Sequence, residues 1–342
     1  MDNGCEEIIQ SIRDMLTGNF DADGRTIMTA MGRYQDHEHG EEIMRACGEM
    51  LFDVVPQELK DQVELLMAQG EESGPQVLER AQACLAKGDA EGAVDVLLPL
   101  CDRLFKVGAG AASDDGQPCY FDLENIVEQV LLVDTMKPEQ PLKPALLPFV
   151  RVYSLLAYAL HEAGRYEDAV MWLQRALVWN PVQPHLYFEI AEAFKRMDQL
   201  DQAEAWIDRA YVLCAGPAEL ARWYRAKGFC AVGRRELELA AAEFLFSTAF
   251  EQSPVVGSEL EYMKTTFDRD LADMDPAAVV ETLKEHNVPM GPNEAALQAL
   301  ATSIQIARAN DDVPTARECA LRLYALTGDE TVKTLLESLS EE

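Results

Sequence analysis

Two short polar stretches near the N-terminus carry residue types that bind metal ions. NFDADG, residues 19–24, spaces its oxygen-bearing side chains like the first half of a calcium loop, with Gly24 at the sixth position. The twelfth position of such a loop supplies a bidentate glutamate, but here it is Ala30. Because that ligand is missing, the stretch is predicted to be a solvated turn between two helices.

The second stretch, DHEHGEE at residues 36–42, combines two histidines with four carboxylates. A His-x-His pair beside acidic side chains is able to bind a transition metal. No third histidine lies nearby in the sequence, and a polar loop between helices explains the same composition. The loop is the favoured interpretation, and whether His37 and His39 bind a metal stays open.

The motifs of the common enzyme classes are missing from the sequence. GAGAAS, residues 108–113, has the glycines of a phosphate-binding loop but lacks the Gly-Lys-Ser/Thr that follows them. Neither a GxSxG elbow nor an HExxH helix occurs. The sequence therefore predicts no catalytic residues, no metal and no cofactor, and an enzyme is the least favoured class.

The eight cysteines also argue against a metal or disulfide framework. None forms a CxxC pair, and their spacings are irregular and mostly long. Such a pattern is typical of buried, reduced thiols. The N-terminal stretch is acidic and does not resemble a signal peptide. We therefore expect a cytoplasmic protein.

Net charge restricts the possible partners. The chain carries 60 Asp+Glu against 29 Lys+Arg, a formal net charge of −31. A surface so negative repels phosphate backbones and anionic lipids. No apolar run approaches the length of a membrane span. Neither nucleic acid nor a membrane is therefore expected as a partner.

The elements that would carry any site follow a repeat of 34 residues. The frame that starts at Val150 has its fixed residues at Tyr153, Leu156, Ala157, Leu160, Gly164, Tyr166, Ala169, Leu173, Ala176 and Pro181. The pattern recurs from Pro184 and, after a slip of three residues, from Ala221. Weaker frames start at Gly74 and Leu297. This pattern resembles the tetratricopeptide repeat family, and the five frames cover roughly half of the chain.

Each fixed residue has a physical reason. Apolar residues three or four positions apart make one stripe on each of two helices. Small residues such as Ala157 and Ala169 allow the two helices to approach closely. Gly164 ends the first helix and tolerates a positive φ, and Pro181 cannot continue the second. The resemblance predicts an all-α fold: a right-handed α-solenoid of helix-turn-helix repeats with an N-terminal helical cap and C-terminal helices.

Four regions are expected along the chain. Residues 1–73 form an N-terminal helical region, either a cap or degenerate repeats. Residues 74–145 hold a degenerate repeat, a glycine-rich loop (106–118) and an inserted helix (121–132) with Asp122 as its N-cap. Residues 146–254 are the core repeat array. Residues 255–342 are a C-terminal helical extension with one degenerate repeat.

The resemblance also implies a groove. In that family the first helix of each repeat lines the concave face, with positions 2, 5, 9, 12 and 13 pointing inward. The groove residues so implied are Arg151, Tyr158, His161, His185, Phe188, Lys195, Arg196, Arg222, Arg225 and Phe229. Cations and aromatic rings alternate in this set, which suits an extended acidic or carboxylate-bearing segment.

The expected function is therefore a non-enzymatic scaffold or adaptor that binds another protein or peptide in this groove. The family's carboxylate clamp for chaperone tails needs Lys and Asn where this chain has Ser154 and Tyr158, which argues against chaperone-tail binding. The alternative is a ligand-sensing regulator whose superhelix closes on a small peptide or metabolite. The sequence does not name the partner or the oligomeric state.

Overall fold

The computed structural model of the protein describes residues 3–18, 20–34, 37–55, 60, 74–108, 120–138 and 142–339. The chain divides into two compact units. Unit 1 comprises Met1–Tyr120 and Lys143–Val152, and unit 2 comprises Phe121–Leu142 and Tyr153–Glu342.

Unit 1 is built from helices that pack in pairs. Helix α3 packs against α1 and α2, and α4 packs against α5. The helices are α1 (Asn3–Asp14), α2 (Phe20–Tyr34), α3 (Gly40–Val54), α4 (Gly74–Ala86) and α5 (Ala90–Gly108). Two strands of two residues each, β1 (Tyr120–Phe121) and β2 (Lys143–Pro144), pair with one another.

Unit 2 holds one helix ahead of the repeats, the repeat helices and a C-terminal group. Helix α7 contributes its first turn to unit 1 and the rest to unit 2. The helices are α6 (Ile126–Met136), α7 (Phe149–Glu162), α8 (Tyr166–Trp179), α9 (Pro184–Arg196), α10 (Leu200–Ala210), α11 (Pro217–Gly233), α12 (Leu237–Ser247), α13 (Pro254–Phe267), α14 (Pro276–Glu285), α15 (Glu294–Ala309), α16 (Val313–Thr327) and α17 (Glu330–Ser338). The predicted all-α fold of helix-turn-helix repeats is confirmed.

The turn between the two helices of each repeat verifies the 34-residue frame. Position 15 of the frames has a positive φ in all five: 75° at Gly88, 76° at Gly164, 59° at Asp198, 63° at Arg235 and 56° at Asp311. This left-handed conformation ends a helix and lets the chain reverse. Because three of the five residues are not glycine, the position in the frame, and not glycine alone, imposes the positive φ.

The core of unit 2 has two apolar clusters. The larger joins α6, α9, α10, α11 and the C-terminal helices α15 to α17 through buried residues such as Leu132, Ile207 and Leu300. The smaller joins α11 and α12 to α13 and α14, and Phe244 lies at its centre. The inserted helix and the C-terminal repeat therefore share a core with the central repeats.

Some sequence expectations are corrected in detail. The inserted helix α6 begins at Ile126, and its cap is Asn125, whose Oδ1 accepts the backbone N–H of Glu128 at 3.0 Å. Asp122, the predicted cap, instead donates its N–H to the carbonyl of Trp179. The first helix of the third repeat begins four residues ahead of its frame, at Pro217.

The cysteines behave as expected in the described part of the chain. The seven cysteines there form no disulfide, and all of them are buried except Cys84, which is half-buried. The eighth, Cys119, lies outside the described residues, as do residues 109–118 of the glycine-rich loop.

Candidate functional site

The first helices of the repeats present the predicted groove residues in two groups and several single positions. His185, Phe188, Arg222 and Arg225 meet between α9 and α11, and Lys195 meets Phe229 between the same two helices. On α7, Arg151 and Tyr158 are exposed and His161 is half-buried, while Arg196 is exposed at the end of α9.

Arg222 is the centre of the first group. Its Nη1 lies 2.9 Å from His185 Nδ1, its Nη2 donates to Glu189 Oε1 at 2.8 Å, and its guanidinium carbon lies 4.9 Å from the centroid of the Phe188 ring. A guanidinium only donates, so Nδ1 of His185 accepts and the imidazole proton is on Nε2. That nitrogen lies 3.7 Å from Glu189 Oε1. The arrangement fixes the charge and the orientation of all three polar side chains.

Lys195 and Phe229 form the second group. The Lys195 Nζ lies 4.3 Å from the Phe229 ring centroid, a cation–π contact, and 2.5 Å from Glu192 Oε1. The lysine side chain is almost fully covered, whereas the Phe229 ring is 38% exposed. The aromatic ring, and not the ammonium group, is therefore what this part of the surface offers to a partner.

Arg225 is only partly satisfied. Its Nη2 donates to Glu251 Oε2 at 2.8 Å, but its Nη1 is buried and has no hydrogen-bond partner among the described residues. Three cations of the predicted groove, Lys195, Arg222 and Arg225, are thus paired with carboxylates of the chain itself. The strong basic character that the resemblance implied is largely neutralised on α9 and α11.

A cleft of about 370 Å³ opens beside this group. Its walls come from α9 and α11, from the start of α6, and from α16 through Arg322. Sequence analysis missed its acidic residues, which are Glu124, Glu128, Glu219 and Glu251. Only Glu219 carried a signal, because it lies three residues before Arg222 on the same helix. The others lie outside the repeat positions that predicted the groove.

The acidic end of the cleft is built around Glu128. Its Oε2 accepts the backbone N–H of Glu124 at 2.7 Å and the Asn180 side-chain amide at 2.8 Å. Burial raises the pKa of the Glu128 carboxyl, and the nearby charges of Glu124 and Glu219 raise it further. Three carboxylates, those of Glu124, Glu128 and Glu219, therefore line this end of the cleft.

Glu219 lies at the third position of α11, near the backbone N–H groups of Ala215 and Gly216. Burial raises the pKa of this carboxyl, which Arg322 and the two N–H groups lower in part. Its Oε2 is buried without a hydrogen-bond partner in the part of the chain that the structure describes. The cleft is thus lined by one anion and one cation, Glu219 and Arg225, that each keep an unsatisfied atom.

The face of α7 differs from the α9–α11 face in that its polar side chains are less fully paired. Tyr158 is 49% exposed, and Ser154 and His161, four residues before it and three after, lie on the same side of the helix. The Ser154 Oγ and the His161 Nε2 are buried, and neither has a hydrogen-bond partner among the described residues. This face therefore combines an exposed ring with two buried polar atoms that lack a hydrogen bond among the described residues.

The two stretches near the N-terminus do not form metal sites in the described residues. Asp23 is buried, and its carboxylate accepts the N–H of Thr17 at 2.6 Å and the N–H of Gly18 at 2.7 Å. The hydrogen bond from Thr17 lowers the pKa of Asp23. The predicted solvated turn is wrong here, because helix α2 already includes this residue and its carboxylate binds the N–H groups that precede the helix.

His37 and His39 lie side by side, with ring centroids 5.8 Å apart. The Nδ1 of His37 accepts the backbone N–H of His39 at 3.2 Å, so this nitrogen is occupied within the loop. In the described ranges, no three His, Cys, Asp or Glu side chains come together as metal ligands. None of the described helices combines the length and apolar character needed to cross a bilayer.

The geometry of the repeat agrees with the comparison with protein families. The profile described as "Tetratricopeptide repeat" matches residues 150–183, which include helices α7 and α8 and the turn at Gly164. The chain carries a tetratricopeptide repeat. The match has the same start as the frame read from the sequence, at Val150.

Comparisons with whole proteins add little to this repeat. No curated protein matches the chain. Among solved structures, the chain aligns with BtubC from P. vanneervenii at 13% identity over 98% of this chain and 93% of that one, with a TM-score of 0.34. It aligns with the Cut9–Hcn1 hetero-tetramer of the APC/C at 13% identity, over 96% and 62% of the chains, with a TM-score of 0.32.

A third alignment is to a Rap protein complexed with competence and sporulation factor. It has 12% identity, covers 98% of this chain and 97% of that one, and has a TM-score of 0.29. Values this low support no conclusion about partner or activity.

Proposed function

We propose that this protein is a non-enzymatic scaffold that binds an extended segment of a partner protein along the first helices of its repeats. The observation that carries the proposal is the face of α7. There, the half-exposed ring of Tyr158 lies beside the unsatisfied Ser154 Oγ and His161 Nε2. A partner segment would cover the exposed ring, and the Ser154 and His161 side chains, whose unpaired atoms are buried, would rotate to hydrogen-bond with it.

Neighbouring repeats supply further contacts of the same kind. The Phe229 ring is exposed on α11, and the guanidinium of Arg196 is exposed at the end of α9. Aromatic rings and arginine are the side chains that most often dominate binding energy at protein interfaces. An exposed guanidinium also forms strong, charge-assisted bonds with carboxylates. A segment that bears a carboxylate is therefore the preferred partner.

Charge reversal is not a suitable test of this surface. Substituting Arg222 and Arg225 by Glu would place new carboxylates against Glu189 and Glu251, which now bind these arginines. Loss of binding would then follow from loss of folding. Tyr158→Ala avoids this problem, because an exposed side chain contributes little to stability.

The chain offers a matched control for Tyr158. Tyr262 on α13 is exposed to the same extent, 49%, but lies outside the first helices of the three central repeats. We expect Tyr158→Ala to weaken capture of the partner from native cell lysate by about tenfold or more, as loss of an interface aromatic does. Tyr262→Ala should capture the same proteins as the unmodified chain.

Quantitative mass spectrometry of the captured proteins measures both variants. Equal recovery of every protein by Tyr158→Ala and the unmodified chain would contradict the proposal. So would an equal loss with both tyrosine variants, which would indicate an unspecific effect of removing an exposed ring.

A further inference from the structure

The cleft between α9, α11, the start of α6 and α16 has carboxylates at one end and an arginine at the other. Glu124, Glu128 and Glu219 gather at the first end, where the charge of Arg322 acts on Glu219, and Arg225 lies further along α11, paired with Glu251. Each end keeps a buried polar atom without a partner among the described residues: Glu219 Oε2 is an acceptor, and Arg225 Nη1 is a donor.

Unsatisfied buried polar atoms are costly, and native structures contain few of them. Two such atoms of opposite character in the walls of one cleft need a common explanation. A ligand that carries a cationic donor and an anionic acceptor satisfies both atoms at once. A ligand with a single charge would leave one of them unpaired.

We propose that this cleft binds a short peptide with both ends free, its ammonium group at Glu219 and its carboxylate at Arg225. The proposal goes beyond the scaffold function, because it requires a pocket for a small molecule and not an open face. Because both atoms are buried, the two side chains would turn toward the ligand when it binds.

The length of the ligand follows from the helix. Glu219 and Arg225 are six residues apart, so their Cα atoms are separated by about 9 Å along the axis of α11. An extended peptide spans about 3.4 Å per residue, so a dipeptide or tripeptide bridges the two side chains. The charged groups of a single amino acid share one Cα atom and cannot reach both ends.

Arg222, which lies between the two ends of the cleft, already has its hydrogen-bond partners within the chain. Arg222 binds His185 and Glu189 and covers the Phe188 ring, which is buried. It forms the floor of the cleft and does not compete for the ligand's carboxylate. The carboxylate is thereby directed to Arg225, whose Nη2 is held by Glu251 while Nη1 stays available for a second bond.

The test uses the full chain and four forms of dialanine in calorimetric titrations up to roughly 10 mM, the range of weak ligands. The forms have both ends free, the N-terminus acetylated, the C-terminus amidated, or both ends blocked. We expect the free dipeptide to bind, and each single block to weaken binding at least tenfold. Trialanine should bind comparably, and alanine at least tenfold more weakly.

Two conservative variants assign the ends. Glu219→Gln should abolish the preference for a free N-terminus, and Arg225→Lys, which keeps the charge but removes the second nitrogen, should abolish the preference for a free C-terminus. The controls are Glu243→Gln, which alters another buried carboxyl with an unsatisfied oxygen, and Arg234→Lys, whose guanidinium pairs with Asp201 away from the cleft. Both controls should bind like the unmodified chain.

Several results would overturn the proposal. They are the absence of binding by dialanine and trialanine, equal binding of all four dialanine forms, or a preference that survives in the Glu219 and Arg225 variants. The tyrosine variants described above test the scaffold independently. Binding of dialanine with unchanged capture by Tyr158→Ala would support the cleft and contradict the scaffold, and the reverse result would do the opposite.

Discussion

Equivalent positions of successive repeats lead to different environments in this protein. Ser154, Phe188 and Arg225 all occupy position 5 of their frames. The first keeps a buried, unsatisfied hydroxyl, the second is 1% exposed beneath Arg222, and the third is held by Glu251. The frame therefore sets which way a side chain points, while the neighbouring elements decide whether it is covered, paired or left open.

The origin of the difference lies outside the three central repeats. Helices α6 and α16 contribute Glu128 and Arg322 to the cleft beside α9 and α11. The face of α7 at Ser154, Tyr158 and His161 retains an exposed ring and two unsatisfied atoms. We infer that the polar side chains of the α9–α11 face pair mainly with each other and leave a cleft for a small ligand. The α7 face, in contrast, is suited to a partner chain.

Removing one aromatic ring from each face gives the largest expected difference in stability between the two faces. Phe188→Ala deletes a fully buried ring that supports Arg222, and should lower the free energy of unfolding by about 3–5 kcal/mol. Tyr158→Ala removes an exposed ring and should change it by less than about 0.5 kcal/mol. Urea unfolding followed by circular dichroism measures both. Similar losses for the two variants would show that the faces do not differ in burial.

Exchanging the charges of Arg225 and Glu251 tests how much their ion pair contributes to stability. Arg225→Glu places a carboxylate against Glu251 and leaves both unpaired, so we expect a loss of about 2 kcal/mol, less than for a fully buried pair because Glu251 is partly exposed. Adding Glu251→Arg restores an opposite pair and should recover at least half of the loss. The double-mutant cycle in urea isolates this interaction. No recovery in the double variant would mean that Arg225 contributes by packing alone.

The sequence was sufficient for the repeat. Gly164 and Pro181 act locally, through φ and a missing N–H, so their spacing predicts the turn and the helix end wherever the chain folds. Position 15 shows the strength of this constraint, because Asp198 and Arg235 adopt the same positive φ as Gly164. Two of the predicted groove residues, His185 and Arg222, lie in contact in the structure, whereas their role in a groove stays a prediction.

The cleft could not be predicted in the same way. Glu128 reaches the cleft from a helix that precedes the three central repeats, and Arg322 from one about a hundred residues beyond Arg222. Such contacts depend on tertiary packing between distant parts of the chain. A repeat pattern does not predict that packing. The same holds for Glu251, which pairs with Arg225 but lies after the second helix of that repeat and not on a groove position.

A buried carboxyl on α12 that does not line the cleft, Glu243, extends the comparison. Burial raises the pKa of Glu243 to about 8 from its ordinary value of 4.5, so the folded chain favours the protonated form. Its stabilising contribution is complete below pH 4.5 and is lost as the pH rises through 8. Glu243→Gln mimics the protonated group, so it should exceed the unmodified chain in stability at pH 8 by more than about 1 kcal/mol. Thermal unfolding from pH 5 to 8.5 measures this, and a constant difference across that range would contradict it.

The smallest expected change in stability concerns the left-handed turn at position 15 of the repeat frame, which both faces share. Gly164 has a φ of 76°, so Gly164→Ala should cost about 1 kcal/mol in unfolding free energy, because an alanine is strained there. Arg235 adopts a similar φ with a side chain, so Arg235→Gly should gain about 0.5 kcal/mol, the relief of strain less the entropy added to the unfolded chain. Gly257, inside helix α13 with open space around it, is the control, and Gly257→Ala should stabilise. If all three changes shifted the urea midpoint in the same direction, the left-handed turn would not be the common element of these repeats.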